Sequence, residues 1–356
     1  MSSVVIVETP LQMLNAIEAS FSLNLGNTIL VIITSPPFPE EVFRPLLAFT
    51  KWHRIIFFHL IHHAPVFNSS ILGKTISERL NEYLKECRQL AKRRKFDNLI
   101  KPMANVENLV IGNYLSGYMR HCANRLRPRH LYLIDDGTDT LRVAKLRTEQ
   151  EVHDDEGQLS CFRKFKNIIR ASFVDWDIRQ ASSLTFFTSY NLGLKPGDRL
   201  VRNEYSFFRS MLKQSELRNE VYFLGQPLAE DGYLYKEEYL SYISKIAQYY
   251  GGRKLIYVTH KRESSQMIDA IRKMGLPVTS FRLPIEVQLL QDGMPSELAS
   301  FFCSALDNCR MIFGDKLSIK AFRIEQGKFF AGCEFVQDIY DYISKNVGPN
   351  FEIVYL

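Results

Sequence analysis

Residues 131–139 read Leu-Tyr-Leu-Ile-Asp-Asp-Gly-Thr-Asp. Four consecutive apolar residues predict a buried strand, with Asp135 and Asp136 directly past its carboxyl end. Gly137 then lets the backbone turn sharply. In an open parallel α/β sheet, ligands bind at that edge. Two adjacent carboxylates there are candidates for acid–base chemistry. The competing account gives one of them to capping the next helix and the other to solvent.

The flanking sequence supplies the sheet. Apolar, β-branched runs at Val4–Val7, Thr28–Thr34, Arg54–Leu60, Asn108–Ile111 and His130–Ile134 predict strands. Helical segments separate them, near Leu11–Ala19, Lys74–Arg94 and Leu115–Asn124. Thr9 as N-cap with Pro10 at the first helical position starts the first of these. Strands alternating with helices mean a doubly wound parallel sheet. The alternation lapses between Leu146 and Asp177, and Ser183–Thr188 reads as the last strand of the first half. Charged Lys195–Glu220 reads as a connection between domains. A second alternation follows: strands Glu220–Leu224, Lys254–Thr259, Val278–Arg282 and Met311–Phe313, with helices Tyr235–Tyr249, Ser264–Met274 and Ser296–Ser304. The expectation is two Rossmann-like domains, residues 1–215 and 216–356, facing across a cleft.

A chain of 356 residues exceeds what one core usually supports, in agreement with two domains. Its 46% hydrophobic and 24% charged residues are those of a globular protein. The net charge of +6 suits an anionic ligand or a membrane surface and is too small to call for nucleic acid. Six cysteines, at 87, 122, 161, 303, 309 and 333, show neither zinc spacing nor a disulfide pattern and read as reduced thiols. The start Met1-Ser2-Ser3 lacks a basic n-region, the apolar run from Val4 breaks at Glu8, and no stretch of about eighteen apolar residues exists. A cytoplasmic protein is expected, with peripheral contact to the inner membrane left open. That contact would use Phe162, Phe165, Ile168 and Ile169, interleaved with Arg163, Lys164, Lys166 and Arg170, as an interfacial stripe. The competing account packs the stripe on its own protein.

In the second half, Tyr257-Val258-Thr259 leads to His260-Lys261-Arg262 at a strand end, with Ser264 or Ser265 capping the next helix. A histidine and cations near a helix N-terminus suit a phosphate; a solvated basic turn is the alternative. Residues 295–304 read as a loop and helix start, placing Ser300 and Ser304 on one face for a second phosphate contact. Gly225-Gln226-Pro227 and Pro284-Ile285-Glu286 are further strand-end loops, and a carboxylate beside apolar residues suits a ribose and a stacked base. No metal-ligating cluster is evident. Arg120, Arg125, Arg127 and Arg129 with Lys92–Lys95 offer a basic surface for an anionic partner, or simply a solvated face.

Taken in order, these residues resemble bacterial sialyltransferases, which carry an acidic-acidic-Gly motif, a later His-Pro motif and a Ser/Thr pair. The lipooligosaccharide sialyltransferases of glycosyltransferase family 52 and the bacterial polysialyltransferases are most similar. The resemblance rests on Val-Glu-Thr-Pro-Leu-Gln-Met-Leu-Asn-Ala at 7–16, Asp-Asp-Gly-Thr at 135–138 and Phe-Leu-Gly-Gln-Pro at 223–227. It implies a GT-B architecture, a CMP-activated nonulosonic acid donor and an oligosaccharide or lipid-linked glycan acceptor, with no cofactor and no metal required. Asp135 then matches the general base, His260 the phosphate-contacting histidine and Ser304 the Ser/Thr element. Gly225, Gln226, Lys261, Pro284, Ile285, Glu286, Ser300 and Ser304 fall on the donor side. Thr9, Gln12, Asp136 and Gly137 fall on the acceptor or sugar side. Lys261 replaces the family proline, and Cys303-Ser304 replaces a hydroxyl pair.

The chemistry would be inverting transfer from CMP-sialic acid in surface-glycan synthesis. A carboxylate takes the acceptor's proton, and His260, Lys261 and helix amides stabilise the departing phosphate. Alternatives are another CMP-linked acidic sugar (Kdo, legionaminic or pseudaminic acid), a nucleoside-diphosphate-sugar enzyme, or a non-catalytic binding protein of capsule assembly. A homodimer is also left open.

Overall fold

The computed structural model describes residues 2–60, 76–149, 176–212 and 217–356. The chain forms two compact units that part between Arg202 and Asn203. The boundary expected near residue 215 falls on undescribed residues, as does the Phe162–Arg170 stripe.

The first unit is a seven-stranded, wholly parallel sheet of β1 (Ser3–Val7), β2 (Thr28–Thr34), β3 (Arg54–His59), β4 (Asn108–Ile111), β5 (His130–Ile134), β6 (Thr185–Thr188) and β7 (Arg199–Arg202). Its order is β3-β2-β1-β4-β5-β6-β7. Helices α1 (Pro10–Ser22), α2 (Ile76–Ile100), α3 (Gly117–Leu126) and α4 (Asp139–Thr148) connect the strands. All five residues of β1 are buried, because a central parallel strand is covered on both faces. The positively charged stretch expected as a linker supplies β7, an edge strand whose outer arginines stay hydrated.

Arg147, at the end of α4, fastens this unit. Its guanidinium grips Asp198 through two bonds of 2.8 and 2.7 Å and donates to Tyr114 Oη at 3.0 Å and the Ala181 carbonyl at 3.3 Å. Tyr114 Oη accepts the Ala181 N–H at 2.8 Å, and Asp198 accepts the Leu184 N–H at 2.8 Å.

The second unit repeats the plan with six parallel strands: β8 (Arg218–Leu224), β9 (Lys254–Val258), β10 (Val278–Thr279), β11 (Pro295–Ser300), β12 (Ser318–Arg323) and β13 (Phe351–Tyr355). The order is β10-β9-β8-β11-β12-β13. Its helices are α5 (Ser206–Ser210), α6 (Lys236–Tyr249), α7 (Ser265–Lys273), α8 (Ile285–Asp292), α9 (Ser304–Phe313) and α10 (Phe335–Ser344). Each sheet thus reverses direction beside its first strand, between β1 and β4 and between β8 and β11. Such switch points open the crevice where α/β sheets take ligands.

Two expectations are corrected here. Residues 295–300 form a central strand instead of a loop and helix, and helix α9 covers Met311–Phe313, which reads as a strand in sequence. Strand β10 stops at Thr279, and Pro284-Ile285-Glu286 opens α8 instead of ending a strand.

Candidate functional site

At the first switch point, β1 ends in Glu8-Thr9. The Thr9 hydroxyl caps α1 by accepting the Gln12 N–H at 3.1 Å, and Gln12 Oε1 accepts the Glu8 N–H at 2.7 Å. Gln12 lies flat against the end of β4, where a Cβ on Gly112 would stand 2.2 Å from its Oε1. Nε2 of Gln12 is buried without an aligned hydrogen bond, yet lies close enough to Asp136 to favour that carboxylate. Glu8 accepts from the Ser116 hydroxyl at 2.7 Å. Burial raises its pKa. Glu8, Thr9, Asn113, Ser116, Phe38 and Tyr118 line a cavity of about 390 Å³.

Asp135 and Asp136 follow β5 at the same sheet edge. Asp135 is 1% exposed; its Oδ2 accepts the Ser189 N–H at 2.8 Å and the Ser189 hydroxyl at 3.3 Å, while Oδ1 is buried without an aligned hydrogen bond among the described residues. Burial pushes its pKa up to about 6, against the pull of the nearby Thr188, Ser189 and Thr140 groups. Asp136 is half-buried. Burial carries its pKa up to about 7; the Gln12 amide opposes this, and the charges of Asp139, Glu8 and Asp135 add to it. Neither side chain caps α4: Thr138 holds the N-cap position, and Thr140 accepts the Asp136 N–H at 3.0 Å. Gly137 has φ 63°, a left-handed conformation that favours glycine. Thr9, Gln12, Asp135, Asp136 and Gly137 are therefore gathered at one end of one sheet. Of the expected basic surface, Arg120 is buried in the first turn of α3, Arg125 pairs with Asp97 at 2.9 Å and Arg129 with Glu107 at 3.3 Å.

In the second unit, Gly225-Gln226 closes β8 and spans the switch point. Gln226 Oε1 accepts the Phe302 N–H at 3.1 Å and the Ser300 hydroxyl at 3.3 Å. Ser300 ends β11 fully buried and donates to the Leu224 carbonyl at 2.7 Å. It supports Gln226 instead of sharing a helix face with Ser304. Ser304 begins α9, whose N-cap residue Cys303 makes no side-chain capping bond. Burial pushes the Cys303 thiol up to about 12, so it stays protonated.

His260 follows β9 and is half-buried. Burial, then the charges of Arg262 and Lys261, push its pKa down to about 4. Its Nδ1 accepts the Arg262 N–H at 3.2 Å. A neutral ring accepting at Nδ1 carries its proton on Nε2, so His260 offers a neutral donor. Lys261 is exposed, whereas Arg262 is paired with Asp231 at 2.8 Å. Ser264 caps α7, and Glu230 takes both its N–H and its hydroxyl at 2.8 Å. That helix start is occupied by the chain's own carboxylate, contrary to the expected phosphate role. Glu286 is also turned inward: it is 3% exposed, takes the Asn308 amide at 2.8 Å and leaves no free face for a ribose. Pro284 and Ile285 stand half-buried at the start of α8.

Sequence reading missed Glu263, Tyr257 and Tyr239. Tyr257 donates to Glu263 Oε1 at 2.5 Å, Glu263 Oε2 accepts the His260 N–H at 2.6 Å, and Tyr239 and Tyr257 share a hydroxyl bond of 2.7 Å. Among the described residues, no group of three His, Cys, Asp or Glu side chains is arranged to hold a metal ion, and no helix is long and apolar enough to cross a membrane.

No protein-family model and no curated protein matches the chain. Among solved structures, it is similar to an alpha/beta-galactoside alpha-2,3-sialyltransferase from Photobacterium phosphoreum, at 13% identity and a TM-score of 0.47, covering 99% of this chain and 98% of that one. The E. coli heptosyltransferase WaaC gives 10% identity and a TM-score of 0.43 over 98% and 100% of the two chains. A UDP-GlcNAc 2-epimerase from Methanocaldococcus jannaschii gives 11% and 0.48 over 100% and 89%. The chain itself is a pair of doubly wound, wholly parallel α/β units, each with polar side chains gathered at its switch point.

Proposed function

We propose that this chain is an inverting glycosyltransferase of GT-B type that moves sialic acid from CMP-sialic acid to a hydroxyl of a glycan acceptor. The first unit contributes the base and the second the donor site. The observation that carries this reading is the carboxyl pair after β5, set side by side at the sheet edge with Asp135 shut in and Asp136 half-buried, where burial pushes their pKa values up to about 6 and about 7, near the pH at which a base takes a proton most effectively. Asp136 is the group that takes the acceptor's proton, because it is half-buried whereas Asp135 is shut in and bonded to Ser189. This moves the base from Asp135, the match by resemblance, to its neighbour, with Asp135 as the buried partner. As the acceptor oxygen bonds to the anomeric carbon, the bond from that carbon to the phosphate oxygen breaks and CMP departs. The Nε2–H of His260, the Lys261 ammonium and the uncapped start of α9 at Ser304 meet the phosphate charge. Gly225, Gln226, Pro284 and Ile285 take the nucleoside.

Lys261 supports a second reading, a donor with more phosphate charge, because it adds a cation where the resembled family has proline. Incubation with a panel of CMP- and UDP-linked sugars and oligosaccharide acceptors tests both. CMP-sialic acid consumption that falls in Asp136→Asn is expected. Turnover of UDP-sugars with no CMP-sugar consumed would replace the first reading by the second.

A further inference from the structure

The end of the second sheet is crossed by a continuous hydrogen-bonded rail. It starts at the His260 N–H, received by Glu263 Oε2 at 2.6 Å. Glu263 Oε1 receives the Tyr257 hydroxyl at 2.5 Å, and Tyr257 shares a 2.7 Å bond with Tyr239. Tyr239 Oη accepts the Gln226 N–H at 3.0 Å, and Gln226 Oε1 accepts the Phe302 N–H at 3.1 Å. Three strand-end loops, after β9, β8 and β11, are thereby held in one register. The interior of the rail is buried: Tyr239 is 0%, Tyr257 1% and Glu263 8% exposed. Its tightness is visible at Gly225, where a Cβ would fall 2.4 Å from Tyr257 Oη and 2.7 Å from Glu263 Oε2.

A carboxylate at such a position is costly unless its geometry matters, because burying it without a cation opposes its charge. Both Glu263 oxygens accept from fixed donors, so the charged form is the one that fits, although burial pushes its pKa up to about 7. Among the described residues no cation pairs with it directly; Glu230 opposes it with like charge, and the neighbouring Arg262 is engaged by Asp231.

We propose that Glu263 is a positioning residue for a phosphate held between His260 and Ser304. It aims the His260 backbone directly and sets the Gln226 turn, and with it the loop into α9, through Tyr257 and Tyr239. This rests on the reading of the second unit as the donor unit. A loop carrying a neutral histidine donor makes a directional bond, so a small rotation of its backbone spoils the phosphate contact, whereas the nucleoside loses less because Pro284 and Ile285 hold it from outside the rail.

The test is calorimetry of the full chain with CMP and with cytidine, alongside amide hydrogen exchange without nucleotide, for the wild type, Glu263→Gln and Tyr257→Phe. Both variants should weaken CMP by about tenfold, leave cytidine within about twofold, and speed exchange in the segments around Gln226 and around His260 together. Equal weakening of CMP and cytidine, or unchanged CMP affinity in a folded variant, would overturn the proposal. Tyr257→Phe removes a single hydroxyl and serves should Glu263→Gln fail to fold. A wild type that binds neither compound sinks the donor reading. In that case exchange alone decides the positioning role: coupled acceleration at both segments upholds it, and acceleration at one segment only removes it.

Discussion

Asn15 donates its side-chain N–H to the main-chain carbonyl of Asp135 at 2.9 Å, tying the first helix of the chain to the turn that bears both carboxyl groups. The bond is fully buried and joins residues 120 positions apart. Removing it with Asn15→Ala strands a buried carbonyl, and an unsatisfied buried polar group costs about 1–3 kcal/mol. Urea denaturation should show a loss in that range, accompanied by lower transfer activity because the carboxyl turn loses its support.

The buried Asp135 sets a pH dependence of stability. Its native pKa of about 6 lies above the ordinary 3.8, so the native state holds a proton that the unfolded chain gives up between those values. Unfolding free energy from this group therefore falls as pH rises from about 4 to about 6 and is flat above. A shift of about two units is worth roughly 3 kcal/mol as an upper figure. Asp135→Asn keeps an acceptor for Ser189 and should be more stable than wild type at pH 8 but not at pH 4, as thermal unfolding at the two pH values will show.

For activity the sign reverses. A base must be ionised, and the two neighbouring carboxyls titrate as a coupled pair, so kcat/KM should climb with pH through an apparent midpoint between about 6 and 7. Asp136→Asn should lower kcat by roughly 10²–10⁴-fold while CMP still binds. Retention of more than a tenth of wild-type kcat would move the base elsewhere.

Gly225→Ala checks the tight packing beside β8. The added methyl would lie 2.4 Å from Tyr257 Oη, a group fixed on both sides, so the turn has to shift. Overpacking of this kind costs about 1–3 kcal/mol. Chemical denaturation should register that loss, and CMP affinity should drop with it. An alanine variant as stable as wild type would show that the turn accommodates a side chain.

The sheet edge with Asp135, Asp136 and Gly137 was legible because a four-residue apolar run followed by Asp-Asp-Gly is a local pattern. So was the Thr9-Pro10 start of α1, where the cap and the fixed proline φ act within one turn. Strand β11 was not, since Pro295-Ser296-Glu297-Leu298-Ala299-Ser300 contains poor strand formers. Its place between β8 and β12 decides it, and Glu297 can be buried there only because Arg253 and Tyr250 reach it from elsewhere in the chain. Glu286 misled for the same reason: its partner Asn308 lies on another helix, and nothing local shows which way the carboxyl turns. Glu263 drew no notice in sequence, because Tyr239 joins Tyr257 above it only once β9 and α6 are packed.

The grip of Arg147 on Asp198 and Ala181 bears on how this chain tolerates change. The polypeptide leaves the first sheet at the end of α4 and comes back to the same guanidinium before β6, so that one side chain acts as a clasp on everything between. Because Asp198 also receives the Leu184 N–H, that one guanidinium ties the end of α4 both to the entry into β6 and to the turn before β7, so its loss would loosen the two outer strands together.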